Sequence, residues 1–201
     1  MLFKSFSEKI NTTLGRLSPA RRIFLSFALV IFAGSLLLSL PFVQATSSQA
    51  TYFDHLFTAV SMVCVTGLFT QPVATTYNIW GQLICMFLIQ IGGLGLMTFI
   101  GVFYIQSKQK LSLRSRETIL ESFSYGETHS LMVFIRSIFL TTFIVEGLGA
   151  FLLSFRFVPE FGWGRGIFTS IFVAISAFCN AGFDNFGSTS LVAFQTDPLI
   201  N

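Results

Sequence analysis

The sequence predicts an all-α membrane protein assembled from parallel repeats of a spanning helix, a short half-helix and a second spanning helix. Three observations predict it. The composition is too apolar for a water-facing surface, long uncharged runs alternate with short ones, and the chain matches itself in one ungapped register.

Of 201 residues, 53% are hydrophobic and 10% charged. Soluble domains carry about 25% charged residues, so most of this surface must face something other than water. The net charge of +3 includes no basic patch interleaved with exposed aromatics, which argues against nucleic-acid binding. Cys64, Cys85 and Cys179 form no CxxC pair, and His55 and His129 are isolated, so no zinc site is expected.

The elements follow in order. Residues 1–22 are polar and basic, and read as a cytoplasmic N-terminus. Ile23 to Val43 is uncharged and long enough to cross roughly 30 Å of hydrocarbon; it is too long for a cleaved signal. After a polar loop, Phe53 to Val65 is apolar but too short to span, as expected of a re-entrant half-helix stopped at Thr66-Gly67. Asp54 at its start is expected to act as the N-cap. Ile79 to Ile105 is again long and contains Gly92-Gly93-Leu94-Gly95, where glycines permit close packing or a bend. Residues 23–105 thus form a first repeat.

Residues 106–130 hold four basic residues and three glutamates, and read as a cytoplasmic linker. Residues 131–201 form a second repeat without its last helix. It comprises a long run, Leu131 to Phe157, a glycine-rich loop at 161–166, and a short run, Ile167 to Phe178, ending at Cys179-Asn180-Ala181-Gly182. Lys and Arg are plentiful in 1–22 and 106–130 and absent from 44–78. The positive-inside rule therefore places the N-terminus in the cytoplasm and brings both half-helices in from outside.

A shift of 115 residues aligns Arg21 with Arg136, Gly34 with Gly149, Ser61 with Ser176, Cys64 with Cys179 and Gly67 with Gly182. It gives 17 identities over the 48 positions from 21 to 68. An even number of crossings separates the copies, so the repeat is parallel. Non-helical backbone at membrane depth survives where it lines a water- or ion-filled cavity, and its carbonyls can there replace a cation's hydration shell. Cys64, Val65, Thr66 and Gly67, with Cys179, Asn180, Ala181 and Gly182, are the candidate filter segments. The Thr66 hydroxyl has two readings, an outer ion ligand or a cap. Glu146 is the acid inside a long apolar run; it reads either as part of an ion path or as a structural acid paired with a base. Asp184 beyond the second turn reads as a mouth charge or an ordinary loop carboxylate.

Thr66-Gly67-Leu68, Gly92-Gly93-Leu94-Gly95 and Cys179-Asn180-Ala181-Gly182-Phe183-Asp184 resemble the Trk/Ktr/HKT superfamily of potassium transporters, nearest to Ktr-type membrane subunits. The resemblance implies a potassium-channel-like fold of four repeats, of which about one and three-quarters lie here. It also implies potassium uptake through backbone filters with Gly67 and Gly182 as the first two filter glycines, potassium and often sodium as the ions, and no covalent cofactor. A cell-membrane location, a homodimer and a cytoplasmic nucleotide-binding gating subunit follow in the same way. The alternatives are a non-conducting fragment that needs other chains, or a sodium-selective relative. An intramembrane protease is disfavoured by the lack of a Gly-x-Ser-x-Gly motif and of a histidine at mid-depth.

Overall fold

The computed structural model describes residues 19–95 and 128–200. The expected cytoplasmic N-terminus lies almost wholly outside the described residues, as do the 106–130 linker up to residue 127 and the 96–105 part of the expected second helix. The chain divides into two units. Residues 30–95 with 138–201 form one of them, which holds the candidate site described below.

The described elements are helical: α1 (Pro19–Leu38), a 3-10 turn (Pro41–Val43), α2 (Tyr52–Val63), the single turn α3 (Val73–Thr76), α4 (Ile79–Leu94), α5 (Thr128–Phe161), α6 (Trp163–Phe178) and a 3-10 turn (Ser190–Phe194). No strand occurs among the described residues. One antiparallel bridge joins Gln44 to Tyr77, with Ala45 N–H donating to Thr76 O at 3.0 Å and Asn78 N–H to Val43 O at 3.0 Å.

By length and composition, the Arg136–Phe161 segment of α5 can cross a membrane. At 1.5 Å per residue its 26 residues reach about 39 Å, beyond the roughly 30 Å hydrocarbon core. Leu140, Ile144, Leu148, Phe151 and Phe155 recur along one face of it and are exposed, as lipid contact requires. Among the described residues, the apolar parts of α1 and α4 are shorter, Ile23–Leu38 and Ile79–Leu94. The first ends earlier than its composition suggests because Pro41 opens a 3-10 turn in place of another α-helical turn.

Two boundaries differ from the sequence reading. The segment 161–166 is not a loop. Gly162, at φ +79°, makes the reversal alone, and α6 begins at Trp163. Gly166 then lies against the α5 backbone, where a Cβ would sit 2.6 Å from Val158 Cα, so its lack of a side chain serves packing. Nor is Asp54 the N-cap. Thr51 holds that position and Asp54 is the N3 residue, taking the Thr51 N–H at 2.7 Å as the acidic half of a capping box. Asp54 also accepts from Thr70 Oγ1 at 2.7 Å, which ties the start of α2 to the chain beyond the following turn.

Helix α4 packs against α2, α6 and the Pro41–Val43 turn. It buries Cys85, Leu88, Ile89 and Ile91, and α2 buries Ala59, Met62 and Val63; Leu88 lies against Gly34 of α1. A second core gathers Phe157, Val173 and Phe194, with the Phe186 ring tilted against both phenylalanines, its centre 5.2 Å from that of Phe157 and 5.3 Å from that of Phe194. Arg156 caps this core, its guanidinium 5.0 Å from the Phe194 ring centre and its Nε 2.5 Å from Asp197.

Candidate functional site: two matched glycine turns

Helices α2 and α6 end in the same way. At α2 the C-cap is Cys64; Val65 follows in the left-handed region at φ 55°. Thr66 N–H donates to Ser61 O at 2.9 Å and Val65 N–H to Met62 O at 3.3 Å, the paired bonds of a Schellman cap. At α6 the C-cap is Cys179, and Asn180 follows at φ 54°. Ala181 N–H donates to Ser176 O at 2.8 Å and Asn180 N–H to Ala177 O at 3.0 Å. Glycine comes two residues after each left-handed residue: Gly67 at φ 75° and Gly182 at φ 70°. Glycine alone takes that angle without steric cost.

Each cap is closed by a serine one turn back. Ser61 Oγ accepts Leu68 N–H at 3.0 Å, and Ser176 Oγ accepts Phe183 N–H at 2.9 Å. The Thr66 hydroxyl donates to Ser61 Oγ at 2.8 Å, so its proton serves the cap. Both turns thus direct N–H groups back toward their helix. Among the described residues, the backbone carbonyls of 64–67 and 179–182 accept no hydrogen bond. Eight acceptors without donors, clustered in two adjacent turns, require water or a cation. The helix dipoles of α2 and α6 also place partial negative charge there.

The turns are close to one another. A Cβ on Gly182 would lie 3.2 Å from Gly67 Cα, and one on Gly67 would lie 3.0 Å from Ala181 O. Helix α4 serves both. Gly92 sits against the end of α2, where a Cβ would come within 2.6 Å of Met62 O and 2.7 Å of Val63 O; at Gly93 a Cβ would come within 2.3 Å of Cys179 Sγ. The two glycines therefore admit the two turns, one each.

All eight candidate filter residues, 64–67 and 179–182, lie in these turns, and Glu146 lies behind the second. Glu146 is buried, and no base meets it among the described residues. Its partner is an amide: Gln90 Nε2 donates to Oε1 at 2.9 Å and Oε2 at 3.1 Å. Asp184 belongs to the loop. It accepts Phe186 N–H at 2.9 Å and the Ser190 hydroxyl, so its carboxylate holds the segment after Gly182. Sequence reasoning missed Gln90, and it saw Ser61 and Ser176 as matched residues without seeing their bonds. Their identity across the repeat was the available signal; Gln90 offered none, since its partner is 56 residues away.

Paired turns whose carbonyls accept no hydrogen bond among the described residues are a ligand set that a cation-transport protein would need. A family profile described as TrkH, cation transport protein, matches residues 21–201, and the chain belongs to that family. It is similar to the potassium/sodium uptake protein NtpJ of Enterococcus hirae, 42% identical over 90% of this chain and 40% of that protein. It is also similar to Ktr system potassium uptake protein B of Bacillus subtilis, 37% identical over 92% of this chain and 41% of that protein. The protein of the same name in Vibrio alginolyticus is 38% identical over 90% of this chain and 39% of that protein. The chain spans about two fifths of the length of these relatives. All three relatives are named as uptake proteins.

Proposed function

We propose that the chain supplies two of the four filter segments of a potassium uptake pore, with Gly67 and Gly182 at corresponding positions. One observation carries this reading: two turns with the same hydrogen bonds and closely matching φ angles present carbonyls that accept nothing within the described residues. A dehydrated cation needs such a ligand set, and no acidic ring is required. Potassium is taken as the main ion because the family resemblance associates glycine at the first position, Gly67, with potassium over sodium, and because the relatives are named for potassium uptake. Sodium stands as a second ion, as one relative's name states.

In this reading the protein is a multi-pass subunit of the cell membrane. Residues 1–22 and 106–130 are cytoplasmic, α2 and α6 are half-helices entering from outside, and the repeats occupy 23–105 and 131–201. A homodimer gated by a cytoplasmic nucleotide-binding subunit completes the system, in keeping with relatives that belong to a named Ktr system.

The test is potassium-limited growth of a bacterium lacking potassium uptake. It would express the protein at its relatives' length, with Gly67 intact or changed to Ser. Rescue by the first and loss of potassium preference in the second are expected. Unchanged potassium-over-sodium preference in Gly67→Ser would overturn the filter assignment.

A further inference from the structure

We propose that Glu146 is a positioning residue for the second turn: through Gln90 it holds Cys179, and with it the carbonyls that follow, in place. The inference rests on the filter reading above and adds a residue that touches no ion.

The chain of contacts is short. The Gln90 Nε2 group donates to the Glu146 carboxylate, within reach of both oxygens at 2.9 and 3.1 Å. An ionised carboxylate is acceptor-only, so this pairing fixes which end of the Gln90 amide faces which way. The Gln90 oxygen is thereby turned toward Cys179, whose thiol donates to it at 3.9 Å. Cys179 is the C-cap of α6 and directly precedes the left-handed Asn180, where a small displacement redirects every carbonyl to Gly182. Gly93, one helical turn after Gln90, lets α4 lie on the same cysteine. All three side chains belong to buried residues, with Glu146, Gln90 and Cys179 at 6%, 9% and 7% exposure, so water does not compete for these bonds.

The two repeats differ at this point in a way that fits the assignment. Ile31 occupies the position matching Glu146, and the cysteine of its own repeat, Cys64, is exposed and takes no part in a comparable bond. A buried carboxylate is costly at membrane depth, and packing alone is met by isoleucine in the first copy. The acid therefore supplies what isoleucine cannot, an acceptor that orients the Gln90 amide.

Substituting Glu146→Gln turns an acceptor-only partner into one that can also donate, so either amide can face the other with its oxygen or its nitrogen and the Gln90 amide is no longer held one way. The experiment compares potassium with sodium uptake in cells expressing the protein at its relatives' length. The variants are Glu146→Gln, Gln90→Leu, the exchange Gln90→Glu with Glu146→Gln, and Gly182→Ser. Membrane abundance is measured alongside.

Both single variants are expected to lower potassium-over-sodium discrimination on the order of tenfold, the factor carried by one hydrogen bond to a charged group, at normal abundance. The exchange should restore discrimination, since the carboxylate moved to α4 still accepts from the amide moved to α5 and from the Cys179 thiol. If Gly182→Ser loses discrimination while both single variants keep it, the positioning role is overturned and the filter reading stands. If Gly182→Ser also keeps it, the filter reading falls and this inference with it. If both single variants fail to accumulate in the membrane and the exchange does not rescue them, the pair serves packing, and the proposal is overturned.

Discussion

Ser176 and Phe183 are joined by a hydrogen bond that spans the whole second glycine turn: the serine hydroxyl accepts the Phe183 amide at 2.9 Å. Its counterpart, Ser61 with Leu68, has the same geometry at 3.0 Å. Each serine fixes the exit of the turn to the last helical turn before it. Ser176→Ala leaves a buried N–H without an acceptor, at a cost of about 1–3 kcal/mol. Loss of ion discrimination before loss of membrane abundance is expected, read as potassium and sodium uptake against protein amount. Wild-type discrimination would remove the serine from the design of the turn.

The close approach of α4 to Cys179 predicts a sharp contrast between two glycines. Gly93→Ala places a methyl 2.3 Å from Cys179 Sγ, whereas Gly147→Ala meets nothing within 4 Å. The first change should abolish uptake and lower thermal stability in detergent by several degrees, a shift that corresponds to about 1–3 kcal/mol of overpacking. The second should leave both unchanged. Equal tolerance of both would contradict the packing described.

Val65 holds a left-handed backbone although it is β-branched, a combination that costs on the order of 1–3 kcal/mol. Asparagine stands at the matching position, 180, with nearly the same φ, and tolerates it better. Val65→Asn should therefore keep the fold and unfold at an equal or higher temperature. Val65→Ile, which retains the branching and enlarges the contact with Gly92, should unfold at a lower one. Differential scanning of the purified variants decides, and destabilisation by Asn would argue that the valine side chain outweighs the backbone strain.

Asp197 links the final segment to α5. The Leu199 N–H and then the Arg156 guanidinium hold its carboxyl below the usual carboxylate range. The sign follows from linkage: a depressed carboxylate contributes its stability above the unfolded value, about 3.9, and loses it as pH falls through the folded value. Proteolytic accessibility of residues 184–200 should thus be flat from neutral pH down to about 5, and rise only below about 4. Asp197→Asn should raise it at neutral pH. A rise between pH 7 and 5 would assign the anchor to another group.

The helical class, the order of elements and both glycine turns were legible because the repeat preserves Ser, Cys and Gly in one register. Apolar composition by itself does not produce such a match. The start of α6 was not legible: glycines at 162, 164 and 166 look like a loop, yet only Gly162 has a loop conformation, and the other two lie within the helix. The partner of Glu146 was not legible either. A buried acid suggests a base, whereas an amide on a distant helix satisfies both of its oxygens. Asp54 was placed at the right helix end but three residues from the cap, since Thr51 and Asp54 share the task.

Gly92 and Gly93 are neighbours in sequence, and successive residues of an α-helix point about 100° apart around its axis. One faces the end of α2 and the other faces Cys179. Helix α4 thus stands at a corner, with the two turns on adjoining sides and little more than a quarter revolution between them.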